Sequence, residues 1–252
     1  MKAPFFITGC VRSGTTFLRD VLRRHSNLTA PEETHFYRWP EPFGSQHYNK
    51  ILENNKVLIK HRELDGISEN KFKHILGVSV SRADLYNRYM RLYINLQKPG
   101  ATRWFDKTPQ NVYGAAMIAM EFPSAKFVHI VRNPFDVVAS LKVGKIMHVP
   151  QLVGACNYWN EAIEIMRVIK RAFPARVYEF RYEDFIADIL PQTEKLLLFL
   201  GEEFDSANFD SLSVSERKYD YSELFSEEEK QKIRKLCSRY AIAFKYWDSE
   251  VA

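Results

Sequence analysis

Residues 5–18 read FFITGCVRSGTTFL, and this stretch decides the fold. It begins as an apolar run, passes through a short loop rich in glycine and hydroxyl side chains, and continues with a helical pattern in which Leu18, Val21 and Leu22 share one face. The order is therefore strand, phosphate loop, helix. Glycines let the backbone approach a ligand, and the N–H groups and dipole at the helix start attract an anion. Arg12 adds a full positive charge, so the stretch predicts a phosphate or sulfate site.

The loop differs from the one that binds nucleoside triphosphates. The spacing of Gly9 and Gly14 matches the pattern GxxxxGK[ST], but the lysine is missing and Thr15 stands in its place. The cation of the loop is Arg12, on the near side of the second glycine, so the charge comes from a different part of the loop. Cys10 is interpreted as a small residue that suits a tight turn, with a catalytic thiol as the alternative.

A second strand–helix unit occupies residues 126–142, KFVHIVRNPFDVVASLK. Residues 127–131 are typical of a buried strand, Arg132 stands at its end, and Pro134 opens a helix that carries Ser140. A magnesium-dependent nucleotide hydrolase would end such a strand in aspartate to hold the metal. An arginine with a hydroxyl nearby instead suits a second phosphate. We therefore expect no metal ion at this site.

Two further segments combine charged and aromatic residues. Residues 31–34 read PEET and lead into an aromatic, proline-broken stretch through Tyr48, for which a core edge and an acceptor pocket are both open interpretations. Lys107 ends the strand-like segment RWFDK, residues 103–107, just before a helix near Pro109. Ligand sites of α/β sheets gather at the carboxyl ends of strands, so Lys107 is a candidate functional residue, with a solvated surface charge as the alternative.

These patterns predict an α/β fold: a three-layer, P-loop-like arrangement with a central, mostly parallel sheet flanked by helices, plus helical additions. At 252 residues the chain fits a single domain, 1–252, with a helical insertion at about 56–98 and a C-terminal helical segment at about 222–248. A capping-box pattern starts the last helix. The basic stretch 213–221 is interpreted as a surface loop, with a lid over the site as the alternative.

Composition and charge narrow the class of protein only slightly. A formal charge of +5 and a pI near 9.0 suit an anionic ligand without requiring nucleic acid. The chain enters its first strand soon after Met1, with no signal-peptide pattern and no apolar run of membrane-spanning length. Its 3 cysteines are scattered and odd in number, which indicates neither a disulfide framework nor a zinc site. We therefore expect a cytoplasmic protein without an integral membrane segment.

Two anion sites without a metal-binding aspartate indicate a nucleotide with separated phosphate groups. At this point the sequence resembles the sulfotransferases that use 3′-phosphoadenosine 5′-phosphosulfate (PAPS) and release adenosine 3′,5′-bisphosphate (PAP), in particular the bacterial and tyrosylprotein branch. The resemblance spans about residues 5–201. VRSGTT at 11–16 is similar to the family's 5′-phosphosulfate loop, IVRNP at 130–134 with Ser140 to its 3′-phosphate motif, and FRYED at 180–184 to its Tyr-Glu-Asp segment.

The resemblance also implies roles for individual residues. PEET is similar to the branch's Gly-Glu-Glu-Thr, whose second glutamate, here Glu33, is the catalytic base; Glu32 and His35 are the reserve candidates. DKTP is similar to Asn-Lys-Asp-Pro, whose lysine, here Lys107, contacts the sulfuryl group together with Arg12. The implied donor-binding residues are Arg12, Ser13, Gly14, Thr15, Thr16, Phe17, Arg132, Ser140 and Tyr182.

The implied reaction is a metal-independent, in-line transfer of a sulfuryl group from PAPS to an acceptor hydroxyl or amine. The acceptor is left open among small molecules, carbohydrates and lipids, nucleic acid is not expected as a partner, and a homodimer is one option for assembly. Cytosolic small-molecule sulfotransferases carry lysine where this chain has Arg12, and the secreted-pathway enzymes carry a membrane anchor. The alternatives are a P-loop kinase or nucleotide hydrolase, and a non-catalytic nucleotide-binding protein.

Overall fold

The computed structural model describes residues 1–144, 147–209, 212 and 224–248. Within these residues one sheet is formed by five parallel strands, β1 (Phe5–Gly9), β2 (Leu28–Thr29), β3 (Arg103–Lys107), β4 (Lys126–Val131) and β5 (Val177–Arg181). Their order across the sheet is β2-β3-β1-β4-β5.

Helices cover both faces of this sheet. They are α1 (Thr15–Arg23), α2 (Gln46–Asn54), α3 (Lys56–Leu64), α4 (Glu69–Val78), α5 (Arg82–Gln97), α6 (Ala115–Glu121), α7 (Pro134–Lys142), α8 (Leu152–Ala172), α9 (Tyr182–Ala187), α10 (Ile189–Leu200) and α11 (Glu227–Ala243). Successive side chains of a strand point to opposite faces. In β1, Phe6 therefore packs in the core of α2 to α8 and α11, while Phe5 and Ile7 pack in the core of α1, α9 and α10. The three-layer α/β prediction is confirmed.

The helical insertion is longer than predicted. It begins with α2 rather than near residue 56, so its first residues overlap the end of the proline-broken stretch that runs through Tyr48. Ser45 starts this helix, because its Oγ accepts a hydrogen bond of 3.3 Å from the N–H of Tyr48. Tyr48 and Phe36 are both buried, and the Tyr48 hydroxyl donates a hydrogen bond of 2.9 Å to the Phe36 carbonyl. The core-edge interpretation therefore fits these two aromatic side chains.

The C-terminal helical segment contains α11, whose Ser226 and Glu229 form the predicted capping box. The stretch 213–221, interpreted as a surface loop or a lid, lies outside the described residues. A single domain over 1–252 stays a prediction.

The sheet register places the predicted site at one edge. Parallel strands have their carboxyl ends on the same side. Ile7 of β1 is paired with Lys107 of β3, Gly9 with Ile130 of β4, and Val131 of β4 with Arg181 of β5. The loop after β1, the lysine that ends β3 and the residues after β4 and β5 therefore lie side by side.

Candidate active site

The loop between β1 and α1 offers backbone donors to an anion. Gly14 precedes the first residue of α1 and has a φ of +90°, a left-handed conformation that favours glycine. No side chain in the described part of the chain caps this helix, so the N–H groups of its first turn stay available to a ligand. Arg12 also has a left-handed backbone, with a φ of 74°, which is strained for a residue with a Cβ atom. Such strain is typical of a ligand-binding loop.

Tyr182, the first residue of α9, covers this loop. A Cβ atom at Gly14 would lie 2.4 Å from two carbons of the Tyr182 ring, so glycine is required for the ring to approach. The guanidinium of Arg132 lies 4.6 Å from the centroid of the same ring. Tyr182 therefore connects the loop after β1 with the end of β4.

The two predicted anion sites meet through Ser140. Nε of Arg12 donates a hydrogen bond of 2.7 Å to the Ser140 hydroxyl on α7. Nη1 of Arg132 donates a hydrogen bond of 3.4 Å to the carbonyl oxygen of Arg12, and its Nε lies 3.6 Å from Oδ2 of Asp136. The two arginines are thereby connected at the carboxyl edge of the sheet and both line one cleft, an arrangement suited to a ligand with two anionic groups.

Lys107 links the candidate base to the loop. The residue is 2% exposed, and its ammonium group donates to Oε1 of Glu33 and, at 3.2 Å, to Oγ1 of Thr16. Nε2 of His35 lies 3.3 Å from the second carboxylate oxygen of Glu33. A buried ammonium requires such partners, because burial without them is costly. A continuous series of polar contacts thus runs from Thr16 through Lys107 and Glu33 to His35.

The charges in this series follow from burial and contact. Burial raises the pKa of Glu33, but the hydrogen bond from His35 and the charge of Lys107 outweigh burial and lower that pKa to about 2. Burial lowers the pKa of His35, and the contact with Glu33 offsets this only in part. At neutral pH Glu33 is therefore a carboxylate, and His35 is a neutral imidazole that donates its Nε2–H to Glu33.

Neighbouring segments hold the backbone around Glu33 in place. Nδ1 of His61 on α3 lies 2.9 Å from the carbonyl oxygen of Glu33. The N–H of Thr34 donates a hydrogen bond of 3.0 Å to Oγ1 of Thr108, and its hydroxyl donates one of 2.9 Å to Oδ2 of Asp106. The PEET segment is therefore attached to the end of β3, which keeps Glu33 beside Lys107.

Asp106→Asn is expected to change how stability depends on pH. Burial raises the pKa of Asp106 to about 6, although hydrogen bonds from Thr34 and Thr108 act to lower it. An unfolded aspartate titrates near 3.8. The folded protein therefore keeps a proton that the unfolded chain has lost, and the free energy of unfolding falls as pH rises between these two values.

Asparagine does not titrate, so the wild type should lose up to about 3 kcal/mol relative to Asp106→Asn as pH rises from about 4 to 7. Chemical unfolding of both proteins at several pH values measures this difference. A stability difference that is constant over the whole range would contradict the prediction.

The reserve candidates for the base have different surroundings. The carboxylate of Glu32 accepts hydrogen bonds of 2.6 Å from Arg19 and 3.3 Å from Arg23, and Glu32 does not line the cleft described next. His35 does line it, beside Glu33. Glu32 therefore attaches the PEET segment to α1, whereas Glu33 and His35 both face the space where a ligand would bind.

A cleft of about 430 Å³ lies along these residues, large enough for a nucleotide-sized ligand. The predicted site residues that line it are Arg12, Gly14, Thr15, Thr16, Phe17, Glu33, Arg132, Ser140 and Tyr182. Ser13 and Lys107 do not. The Ser13 side chain is buried, and its Oγ has no hydrogen-bond partner among the described residues. Lys107 reaches the cleft only through Glu33 and Thr16.

Several cleft residues belong to no motif found in the sequence. Polar Arg38, Asn55 and Gln110 line the cleft together with apolar Val57 and Leu58. Arg38 could have been noticed as a cation within the aromatic stretch after PEET. The others lie in segments whose place beside the loop depends on how α2, α3 and β3 pack.

A metal-binding cluster and a membrane-spanning helix are both absent from the described part of the chain. In residues 1–144, 147–209, 212 and 224–248, no group of three or more His, Cys, Asp or Glu side chains could hold a metal ion. Over the same residues no helix has both the length and the apolar character needed to cross a membrane.

Cys10 is buried, and burial raises the pKa of its thiol, which favours the packing interpretation over a catalytic thiol.

Comparison with known proteins finds a matching family and several relatives of this chain. A family model described as "Sulfotransferase family" matches residues 4–206. Nodulation protein NoeE of Sinorhizobium fredii is 31% identical over 140 residues, which cover 54% of this chain and 30% of NoeE. The omega-hydroxy-beta-dihydromenaquinone-9 sulfotransferase Stf3 of Mycobacterium bovis is 24% identical over an alignment of 250 positions, which covers 79% of this chain and 62% of Stf3. The chain thus spans less than two thirds of the length of either relative.

Solved structures share the fold. The sulfotransferase domain from the Synechococcus PCC 7002 olefin synthase superposes with a TM-score of 0.69 at 21% identity, covering 96% of both chains. Mouse sulfotransferase SULT7A1 complexed with PAP superposes with a TM-score of 0.51 at 13% identity, covering 94% of this chain and 83% of the mouse chain. At these identities the similarity concerns the fold alone.

Proposed function

The chain belongs to the sulfotransferase family, and we propose that it transfers a sulfuryl group from PAPS to a hydroxyl or amine group of an acceptor. The observation that carries this proposal is the position of Lys107, which is bonded to both Glu33 and Thr16. A carboxylate and a cation are thereby held at the end of the phosphate loop, beside the first turn of α1, where the reacting group of the donor would lie. Arg12 and Arg132 line the same cleft.

The donor has anionic groups at two positions, and the cleft has cations for both. The N–H groups of the first turn of α1, with the hydroxyls of Thr15 and Thr16, hold the 5′-phosphosulfate. Arg132 and Ser140 hold the 3′-phosphate and select this donor over ordinary adenine nucleotides. The mouse sulfotransferase with the same fold is complexed with PAP, which supports this choice of donor.

Glu33 acts as the general base of an in-line displacement. It accepts the proton of the acceptor hydroxyl as the acceptor oxygen forms its bond to sulfur. The bond between sulfur and the bridging oxygen of the donor breaks at the same time, and PAP leaves with that oxygen. Arg12 and Lys107 stabilise the negative charge on the sulfuryl and bridging oxygens. Atoms and charge balance without a further reactant.

Lys107 has two uses in this scheme. Paired with Glu33, it contributes to the low pKa of that carboxylate and so keeps it a weak base. A sulfuryl group beside Thr16 gives the ammonium a second anionic partner. As Lys107 turns toward that partner, the pKa of Glu33 rises and the carboxylate becomes a better proton acceptor. Donor binding therefore prepares the base.

Incubation with PAPS labelled in its sulfate tests the proposal. The acceptors should include sugars, phenols, peptides and lipid alcohols, the last because the relative Stf3 is named for a hydroxylated dihydromenaquinone. We expect labelled product and PAP in equal amounts, at an unchanged rate when EDTA is added. Turnover of ATP and magnesium that is indifferent to a 3′-phosphate would instead indicate phosphoryl transfer. Tight binding of PAP without transfer to any acceptor would indicate a non-catalytic nucleotide-binding protein.

A further inference from the structure

Arg38 is a cation in the cleft that no described carboxylate pairs with. Its guanidinium carbon lies 4.2 Å from the centroid of the Trp39 ring, and its backbone N–H donates a hydrogen bond of 3.1 Å to the carbonyl of His35. The other cleft arginines have polar side-chain partners: Arg12 bonds to Ser140, and Arg132 lies beside Asp136. The charge of Arg38 is therefore available to a ligand.

The proposed donor-binding motifs do not include Arg38. It lines the cleft with Glu33 and His35, on the segment that supplies the candidate base. Burial lowers the pKa of its guanidinium, while attraction to Tyr158 and Glu33 offsets this in part. A half-buried guanidinium has lost part of its hydration, and a bound anion would offset that loss.

Apolar side chains line the cleft as well. Val57 lines the cleft and is 52% exposed, so it offers apolar surface to a ligand. Leu58 and Met147 also line the cleft. A ligand that uses both kinds of surface has an anionic group for Arg38 and an apolar portion for these side chains.

We propose that Arg38 binds an anionic group of the acceptor, so that the acceptor is a hydroxylated compound with a carboxylate or phosphate group and an apolar portion. This inference rests on the proposed function. The planar guanidinium can bind either anion through two parallel hydrogen bonds, and such charge-assisted contacts are stronger than neutral ones.

Binding to the PAP-loaded protein tests this directly, with octanoate, octyl phosphate and 1-octanol as probes in calorimetry. We expect the wild type to bind at least one of the two anions about 10-fold to 100-fold more tightly than the alcohol. Arg38→Gln should remove that preference, and Arg38→Lys should keep part of it. The two anionic probes distinguish a carboxylate acceptor from a phosphate acceptor.

Arg171→Gln is the matched control, because Arg171 is exposed on α8 and does not line the cleft. It should leave all three affinities unchanged. PAP affinity and thermal unfolding should be the same for Arg38→Gln as for the wild type. A loss of PAP affinity in Arg38→Gln would assign Arg38 to the donor and overturn the inference.

Equal wild-type affinity for the alcohol and both anions would also overturn it, as would an equal loss of all three in Arg38→Gln. If either of those results is found and the protein still transfers label from PAPS to neutral acceptors, the role of Arg38 is wrong but the proposed function stands. Failure of the wild type to bind PAP and to transfer label would overturn the proposed function and this inference with it.

Discussion

Glu33→Gln is expected to lower kcat for sulfuryl transfer by about 10²-fold to 10⁴-fold, the range that general base catalysis supplies. Glutamine has the shape of glutamate but cannot take the acceptor proton. The same substitution removes the negative charge that pairs with Lys107, so the Lys107 ammonium becomes free to bind an anion. Affinity for PAP should therefore be kept or increased. Transfer of labelled sulfate measures the first effect, and calorimetry with PAP measures the second.

Glu32→Gln is the matched control for this variant. Glu32 pairs with Arg19 and Arg23 and does not line the cleft, so turnover per folded molecule should stay near the wild-type value even if stability falls. Normal turnover by Glu33→Gln would remove Glu33 from the mechanism. If Glu33→Gln keeps normal turnover and His35→Gln loses it, His35 is the base.

Arg132→Gln is expected to weaken PAP binding by about 10-fold to 100-fold, because hydrogen bonds between charged groups contribute about 1.5–3 kcal/mol. Adenosine 5′-monophosphate lacks the 3′-phosphate, so its affinity should change little. The wild type should therefore prefer PAP, and the variant should bind the two nucleotides with nearly equal affinity. Calorimetric titration of both proteins with both nucleotides measures this.

The monophosphate also serves as an internal control for the fold. Arg132 contacts the Tyr182 ring and the carbonyl of Arg12, so a disturbed site would weaken both nucleotides. An equal loss for PAP and the monophosphate would contradict the assigned 3′-phosphate contact. Arg132→Lys keeps the charge but loses the planar fork, and should retain part of the preference.

Most of the sheet could be predicted from the sequence because strand and helix signals are local. The apolar runs of β1 and β4 and the two glycines of the first loop each carry their own pattern within a few residues. β2 could not be found, because two residues are too few to show a period. α2 was missed because proline and aromatic residues precede it, and its signal is the single cap at Ser45.

Local sequence patterns did not show the surroundings of Arg38 and Lys107. From the sequence Lys107 was a candidate with a solvated charge as the alternative, but it is buried at 2% exposure and bonded to two residues that line the cleft. Arg38 carried no signal beyond its charge. Its lack of an ion pair became visible only with the surrounding elements in place.

The sequence by itself determined most of the elements, the anion-binding loop and the kinds of charge available, because each is encoded by residues close together in the chain. Only the tertiary structure decided which charges meet. Glu33 and Lys107 are 74 positions apart, and Arg12 and Ser140 are 128 apart. Their contacts depend on the parallel register of β1 with β3 and β4, which brings the carboxyl ends of these strands together. The loop after β1 is thereby joined to a carboxylate, a buried lysine and a second arginine.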